Sequence, residues 1–138
     1  MARPSTSSPH RRTRDDHATE VAEDYVEAIA DITAAHGECR VSDLSEMFGV
    51  SHVTVIQNLR KLERDGLTIV EPRMPVELTA RGTRLARACR ERHDLVRRFL
   101  VAIGVSEKTA AVDSEGIEHH VSKETLAHMR AFLEHTDE

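Results

Sequence analysis

The sequence predicts a mainly α-helical chain carrying one small β-hairpin, and three observations support that class. Apolar residues recur at the 3.6-residue period along most of the chain. Glycines stand where periodic stretches end, at Gly37, Gly49, Gly66 and Gly104. Between residues 67 and 79 the helical period gives way to alternation around Pro72 and Pro75. A chain of 138 residues suits one or two small domains with a real core.

Residues 1–17 are rich in Ser, Pro and Arg without apolar periodicity, so a disordered tail is expected there. From Ala18 to Ala35 a helix is expected, with Ala22, Tyr25, Val26, Ile29, Ile32 and Thr33 on one side. Asp24, Glu27 and Asp31 fall on the opposite side, facing water or a second structural unit. Val41 to Phe48 reads as a short helix, Gly49-Val50-Ser51 as a tight turn, and a longer helix follows to Asp65 with Ser51 as its N-cap.

Two helices joined by a short glycine-containing turn make a helix-turn-helix, whose second helix enters a DNA major groove. Val55, Leu59 and Leu62 form its buried stripe, and His52, Thr54, Gln57, Asn58 and Lys61 lie beyond that stripe. Gln57 and Asn58 suit adenine edges and Thr54 a thymine methyl. Ser51, Lys61 and Arg64 complete the candidate DNA-facing set, the two cations on phosphates. An α-hairpin with an ordinary polar outer face would show the same pattern. Leu67 to Thr79 then reads as a hairpin, the wing of a winged helix, with Arg73 at a stiff Pro72/Pro75 tip as a further DNA contact.

Thr79 can cap a helix over Ala80 to Ile103, where His93 falls inside the apolar stripe of Leu85, Cys89, Val96 and Phe99. A histidine so placed is commonly a hydrogen-bonded core residue; a ligand role stays open. Ser106 caps a helix expected over Glu107 to His120, and Ser122 caps a last one to His135. If helical throughout, the stretch Asp113 to Val121 presents Glu115, Glu118 and His119 at i, i+3 and i+4 on one face. Two carboxylates and an imidazole suit Mn²⁺, Fe²⁺ or Zn²⁺. A solvated charged face shares that spacing.

Charge distribution bears on partners more than the net value of −5 does. Residues 51–98 hold eleven Lys/Arg against six Asp/Glu, whereas 1–50 hold five against ten and 99–138 three against eight. A basic middle between acidic ends separates a polyanion-binding surface from a cation-binding one. Cys39 and Cys89 lie far apart without CxxC spacing, which suggests neither a disulfide framework nor a zinc ribbon. No apolar run long enough for a membrane helix and no signal-like stretch is present, so a cytoplasmic protein is expected.

Glu23-Asp24-Tyr25-Val26-Glu27, Arg92-His93-Asp94-Leu95 and Glu115-Gly116-Ile117-Glu118-His119-His120-Val121-Ser122 carry a resemblance that runs from Ala22 to Leu133. In them the chain resembles the manganese-responsive members of the diphtheria toxin repressor family of metal-dependent transcription factors. The resemblance implies a winged helix-turn-helix DNA-binding domain over 18–79, followed by a helical metal-binding and dimerisation domain over 80–138. It implies a metal site between them, held by Asp24, Glu27, His93, Glu115, Glu118 and His119. It further implies Mn(II) as cofactor, two ions per subunit, and a homodimeric repressor of metal-homeostasis genes acting on a double-stranded DNA operator.

Iron-responsive members carry Met where Asp24 stands and Cys where Glu115 stands, so oxygen ligands at both favour manganese. His120 points about a hundred degrees further round than His119 and suits a supporting role. The alternatives are a regulator of the same family responsive to iron or another divalent metal, and, from another class, a di-metal helical enzyme. Against the enzyme stand the missing HExxH spacing and the missing paired Glu-x-x-His on a second helix.

Overall fold

The computed structural model describes the backbone of residues 8–136 and side chains from His17 onward. Its elements are α1 (Ser8–His36), α2 (Val41–Phe48), α3 (His52–Arg64), β1 (Thr68–Ile69), β2 (Glu77–Leu78), α4 (Ala80–Ala102), α5 (Glu107–Ile117) and α6 (Lys123–Thr136). The mainly α class with a small hairpin is therefore the observed one. Of the tail expected over 1–17, residues 1–7 lie outside the described part, and residues 8–17 open α1 ahead of the expected start at Ala18. Pro9 falls in the first turn, where its missing N–H costs no bond, and no glycine interrupts the rest of the helix.

The chain divides into two compact units, one spanning 21–88 and one comprising 89–138 with the stretch ending at Glu20. The first unit is the winged helix. Its core gathers Tyr25, Val26 and Ile29 from α1, Leu44 from α2, and Val55, Leu59 and Leu62 from α3, with Leu67 and Val76 from the hairpin. Burying each such side chain contributes about 1.5–3 kcal/mol. Tyr25 stacks on Phe48 with ring centroids 4.7 Å apart. Thr33, expected among the buried positions of α1, is exposed, because the packed stripe ends one turn short of Gly37.

Gly49 takes a left-handed φ of 66° and lets the chain turn sharply between α2 and α3, and the Ser45 hydroxyl donates to the Val50 carbonyl across that turn. Ser51 caps α3 as its sequence position implies, its Oγ accepting from the Thr54 amide at 3.1 Å. β1 and β2 pair antiparallel in the register Thr68 with Leu78 and Ile69 with Glu77.

The compact winged-helix unit runs to Ala88, because the first turns of α4 pack into it. Gly82 makes that approach possible: a Cβ there would lie 2.1 Å from the Leu67 carbonyl oxygen.

In the second unit α5 lies antiparallel to α4, tied at three successive points. Arg97 donates to Glu107 at 3.1 Å, Ser114 Oγ lies 3.4 Å from His93 Nε2, and Arg92 Nε lies 3.8 Å from Glu118 Oε2. Phe99 meets Phe132 of α6 edge to face at 5.4 Å. Ser106 and Ser122 cap α5 and α6 through the amides of Thr109 and Thr125.

Helix α5 ends at Ile117, short of the expected His120. Gly116 weakens its last turn, and Ser122 must turn extended to cap the next helix. Glu118 keeps the helical bond to Ser114 O at 3.1 Å, and His119 and His120 follow in a turn.

Candidate metal centre and nucleic-acid interface

The buried line of α5 is Ala110, Ser114 and Glu118, at intervals of one helical turn. Glu115 sits about a hundred degrees away from that line and is exposed. The expectation that Glu115, Glu118 and His119 share one face is thereby corrected: two of the three are buried and the third faces outward. Glu118 is 2 % exposed. Its Oε1 lies 3.6 Å from His119 Nε2, and the His119 side chain is almost as fully enclosed.

Burying a carboxylate is costly unless positive charge stands close by. Arg92 supplies some, from one turn beyond Cys89, whose sulfur accepts from Arg92 Nη2 at 3.3 Å. Ser114 holds His93 on the same helix pair, so the lone histidine of the α4 stripe does have a hydrogen-bonding neighbour. His120 is half exposed and pairs with Glu20 at 3.2 Å, a partner that sequence reading missed.

On α1, Glu20, Asp24 and Glu27 follow one another at helical spacing along a single stripe. Asp24 and Glu27 are half-buried, outside the winged-helix core, as the periodicity implied. Glu27 Oε1 is enclosed and has no hydrogen-bond partner. A buried carboxylate oxygen left so is costly, and an added cation would satisfy it. Each unit by itself thus presents donors whose chemistry suits a divalent ion, hard oxygens on α1 in one and a buried carboxylate beside an imidazole at Glu118 in the other. The cysteines do not join this set. Cys39 is buried and its thiol is pushed up to about 11, first by burial and then by Asp43.

The outer face of α3 differs from the expected one in a specific way. His52, Gln57, Lys61 and Arg64 are exposed, whereas Thr54 and Asn58 are half-buried. Asn58 donates to Tyr25 Oη at 3.1 Å, and Thr54 Oγ1 accepts from Ser51 Oγ at 3.1 Å. Sequence reading missed Val53 and Ile56, apolar yet 64 % and 41 % exposed on the same face. Unpacked β-branched side chains beside Gln57 were the available signal, since neither fits the buried stripe.

The wing is braced to α3 by Glu63. Its Oε2 accepts from the Val70 amide at 2.9 Å and its Oε1 from Arg60 at 3.0 Å. Those two bonds, the backbone one first, hold the Glu63 carboxyl below the ordinary carboxylate range. At the tip the Met74 amide closes on Glu71 O at 3.2 Å, and Arg73 takes a φ of +66°. This is the slot that normally asks for glycine after a proline at the preceding position.

Comparison with known proteins agrees with this geometry. Residues 17–76 match the profile of the iron-dependent repressor N-terminal DNA-binding domain, and residues 79–138 that of the iron-dependent repressor metal-binding and dimerisation domain. The transcriptional regulator MntR of Escherichia coli is 44 % identical over 124 residues, covering 90 % of this chain and 80 % of that protein. The HTH-type transcriptional regulator MntR of Bacillus subtilis is 34 % identical over 116 residues, covering 84 % and 82 %. A solved manganese-dependent transcriptional repressor in complex with manganese superposes with a TM-score of 0.70 at 34 % identity, covering 81 % of this chain and 52 % of its own. The chain thus spans about half the length of that solved protein. Among the described residues no helix is long and apolar enough to cross a membrane. The chain belongs to the iron-dependent repressor family, and is a dimeric, metal-dependent, DNA-binding transcription regulator rather than an enzyme.

Proposed function

We propose that this chain is a manganese-responsive repressor of metal-homeostasis genes, acting in the cytoplasm on a double-stranded operator. Its ligands are Asp24, Glu27, His93, Glu115, Glu118 and His119, taking two Mn(II) ions per subunit. The observation that carries the reading is the enclosed Glu118 carboxylate beside an enclosed His119 ring. The partnerless Glu27 Oε1 supports it from the first helix. Glu115, exposed one position beyond Ser114, enters as an edge ligand.

A bound divalent ion supplies the positive charge that lets several carboxylates gather. Without such charge Asp24, Glu27, Glu115 and Glu118 repel one another in any partly desolvated setting. Gathering the two groups of ligands fixes the α1 end of the DNA-binding domain against the regulatory helices. The recognition helices of a dimer are then held at one turn of the duplex, about 34–36 Å. Ligand carboxylates thereby link metal occupancy to operator affinity reciprocally, with a coupling of about 1–3 kcal/mol.

On the DNA side, Gln57 reads base edges, flanked by His52 and by the apolar Val53 and Ile56. Lys61, Arg64 and Arg73 meet phosphates or a minor groove. Asn58 acts through Tyr25, so Asn58→Ala should cost about 1 kcal/mol of stability and leave base preference unchanged. Gln57→Ala should lower discrimination at one base pair by about 1–3 kcal/mol. Operator binding measured for both variants on matched and mismatched sites distinguishes the two roles.

The deciding experiment titrates operator binding with Mn²⁺ and Fe²⁺ side by side, for wild type and Glu118→Gln. Manganese should activate wild type at the lower concentration, and Glu118→Gln should need far more. Operator binding that ignores metal in wild type would end the proposal. Activation by Fe²⁺ at lower concentration than Mn²⁺ would instead select the iron-responsive reading.

A further inference from the structure

We propose that Arg92 is the resident counter-cation of Glu118 and thereby sets how much divalent metal the protein needs before it responds. The inference rests on Glu118 being a ligand, as read above, and goes beyond it by assigning a role to a residue that ligates nothing. Arg92 Nε lies 3.8 Å from Glu118 Oε2, a carboxylate enclosed to within 2 % of full burial. The guanidinium is held from behind by Cys89, whose fully buried sulfur accepts from Nη2 at 3.3 Å. Its side chain is 27 % exposed, and the contacts to Cys89 and Glu118 place the charge beside the carboxylate. Arg97 offers the contrast on the same helix. It is spent on Asp94 at 2.8 Å and Glu107 at 3.1 Å, and those carboxylates, led by Asp94, hold its guanidinium charged.

A buried carboxylate attracts whichever cation is nearest, and the attraction is strong where water is scarce. Arg92 and a divalent ion therefore compete for one anion. A dication coming to Glu118 also meets a fixed positive charge already beside that carboxylate. Both effects lower metal affinity. The compensating benefit is that Glu118 keeps a partner of opposite sign when metal is scarce, which protects the fold. Arginine suits the task because its charge does not vary with pH.

The test measures Mn²⁺ binding to the chain by the free-ion electron paramagnetic resonance signal, and thermal melting in chelator, for wild type and four variants. Arg92→Gln removes the charge and should bind Mn²⁺ roughly tenfold or more tighter. Its melting point in chelator should fall by about 5 °C. Arg92→Lys keeps the charge and should stay close to wild type in both readouts, which also controls for simple loss of folding. Glu118→Gln should lose most Mn²⁺ affinity, and adding Arg92→Gln to it should produce no tightening.

Weaker Mn²⁺ binding by Arg92→Gln would overturn the proposal, since Arg92 would then be orienting Glu118 for metal. Equal tightening by Arg92→Lys would overturn it too, because charge would not be the cause. If Glu118→Gln keeps its Mn²⁺ affinity, the ligand reading falls and this inference falls with it. If Glu118→Gln loses affinity while Arg92→Gln changes nothing, this inference alone falls.

Discussion

Leu59 and Glu118 are both enclosed in the middle of their units, yet their surroundings differ. Leu59 belongs to the same buried apolar cluster as Tyr25, Val26, Ile29, Val55 and Leu62. Glu118 sits with Arg92 and His119, on a helix whose other enclosed residues are Ala110 and Ser114. The winged-helix unit is therefore held chiefly by apolar burial, with the buried Glu23 and the enclosed Glu27 Oε1 on α1 as its charged exceptions. Among its described residues the helical unit has a smaller buried apolar set, Cys89, Leu95, Val96, Ala110 and Leu133, and encloses Glu118 with it. Apolar burial is concentrated in the part that carries the helix-turn-helix, and the enclosed carboxylate–imidazole pair lies in the other.

The largest effect that would sharpen this contrast comes from Gly82→Ala. A methyl there would fall 2.1 Å from the Leu67 carbonyl oxygen and 3.2 Å from Leu78 Cδ2. The overpacking should cost about 1–3 kcal/mol or more, read as a shift in the denaturant midpoint. An unchanged midpoint would mean that the start of α4 does not belong to the rigid core.

Ser114→Ala should act on the other unit alone. Its loss frees His93 and should weaken Mn²⁺ binding about tenfold while global melting in chelator moves little. If melting falls and metal binding holds, Ser114 is a packing residue and the division of labour is weaker than described.

The smallest effect concerns acid. Because Glu63 titrates below its ordinary range when folded, its bonds to Val70 and Arg60 stabilise the wing fully above the unfolded value, near about 4.3. That contribution is lost as pH falls through the lower folded value. Exchange of the Val70 amide should therefore be faster in Glu63→Gln than in wild type at neutral pH, and the difference should close in acid.

What could be read in the sequence followed from which residues carry local signals. Ser51, Ser106, Ser122 and Thr79 announced helix starts because a capping hydroxyl acts within three residues of itself. The wing announced itself through alternation, and its turn through Pro72. The end of α5 was misjudged because Glu118, His119 and His120 have nothing against helix in themselves. The decision came from Gly116 before them and the capping demand of Ser122 after them.

The bond from Asn58 to Tyr25 was illegible for a different reason. Tyr25 is remote in sequence, and spacing on α3 alone cannot say that an amide turns inward. Arg92 escaped notice as one of many arginines on α4. Only the antiparallel pairing of α4 with α5 distinguishes it from Arg97, which faces Glu107, and from Arg98, which is exposed. The ligand set came from resemblance; periodicity supplied only the outward stripe of Asp24 and Glu27.

The brace from Glu63 to the Val70 amide and to Arg60 has a mechanical consequence. Loop and recognition helix travel as a single stiff stamp, so little chain entropy is lost when the pair is pressed onto a duplex. Such a head cannot mould itself to a poorly matched site. It can only be aimed well or badly, and that leaves aim as the variable for the rest of the protein to control.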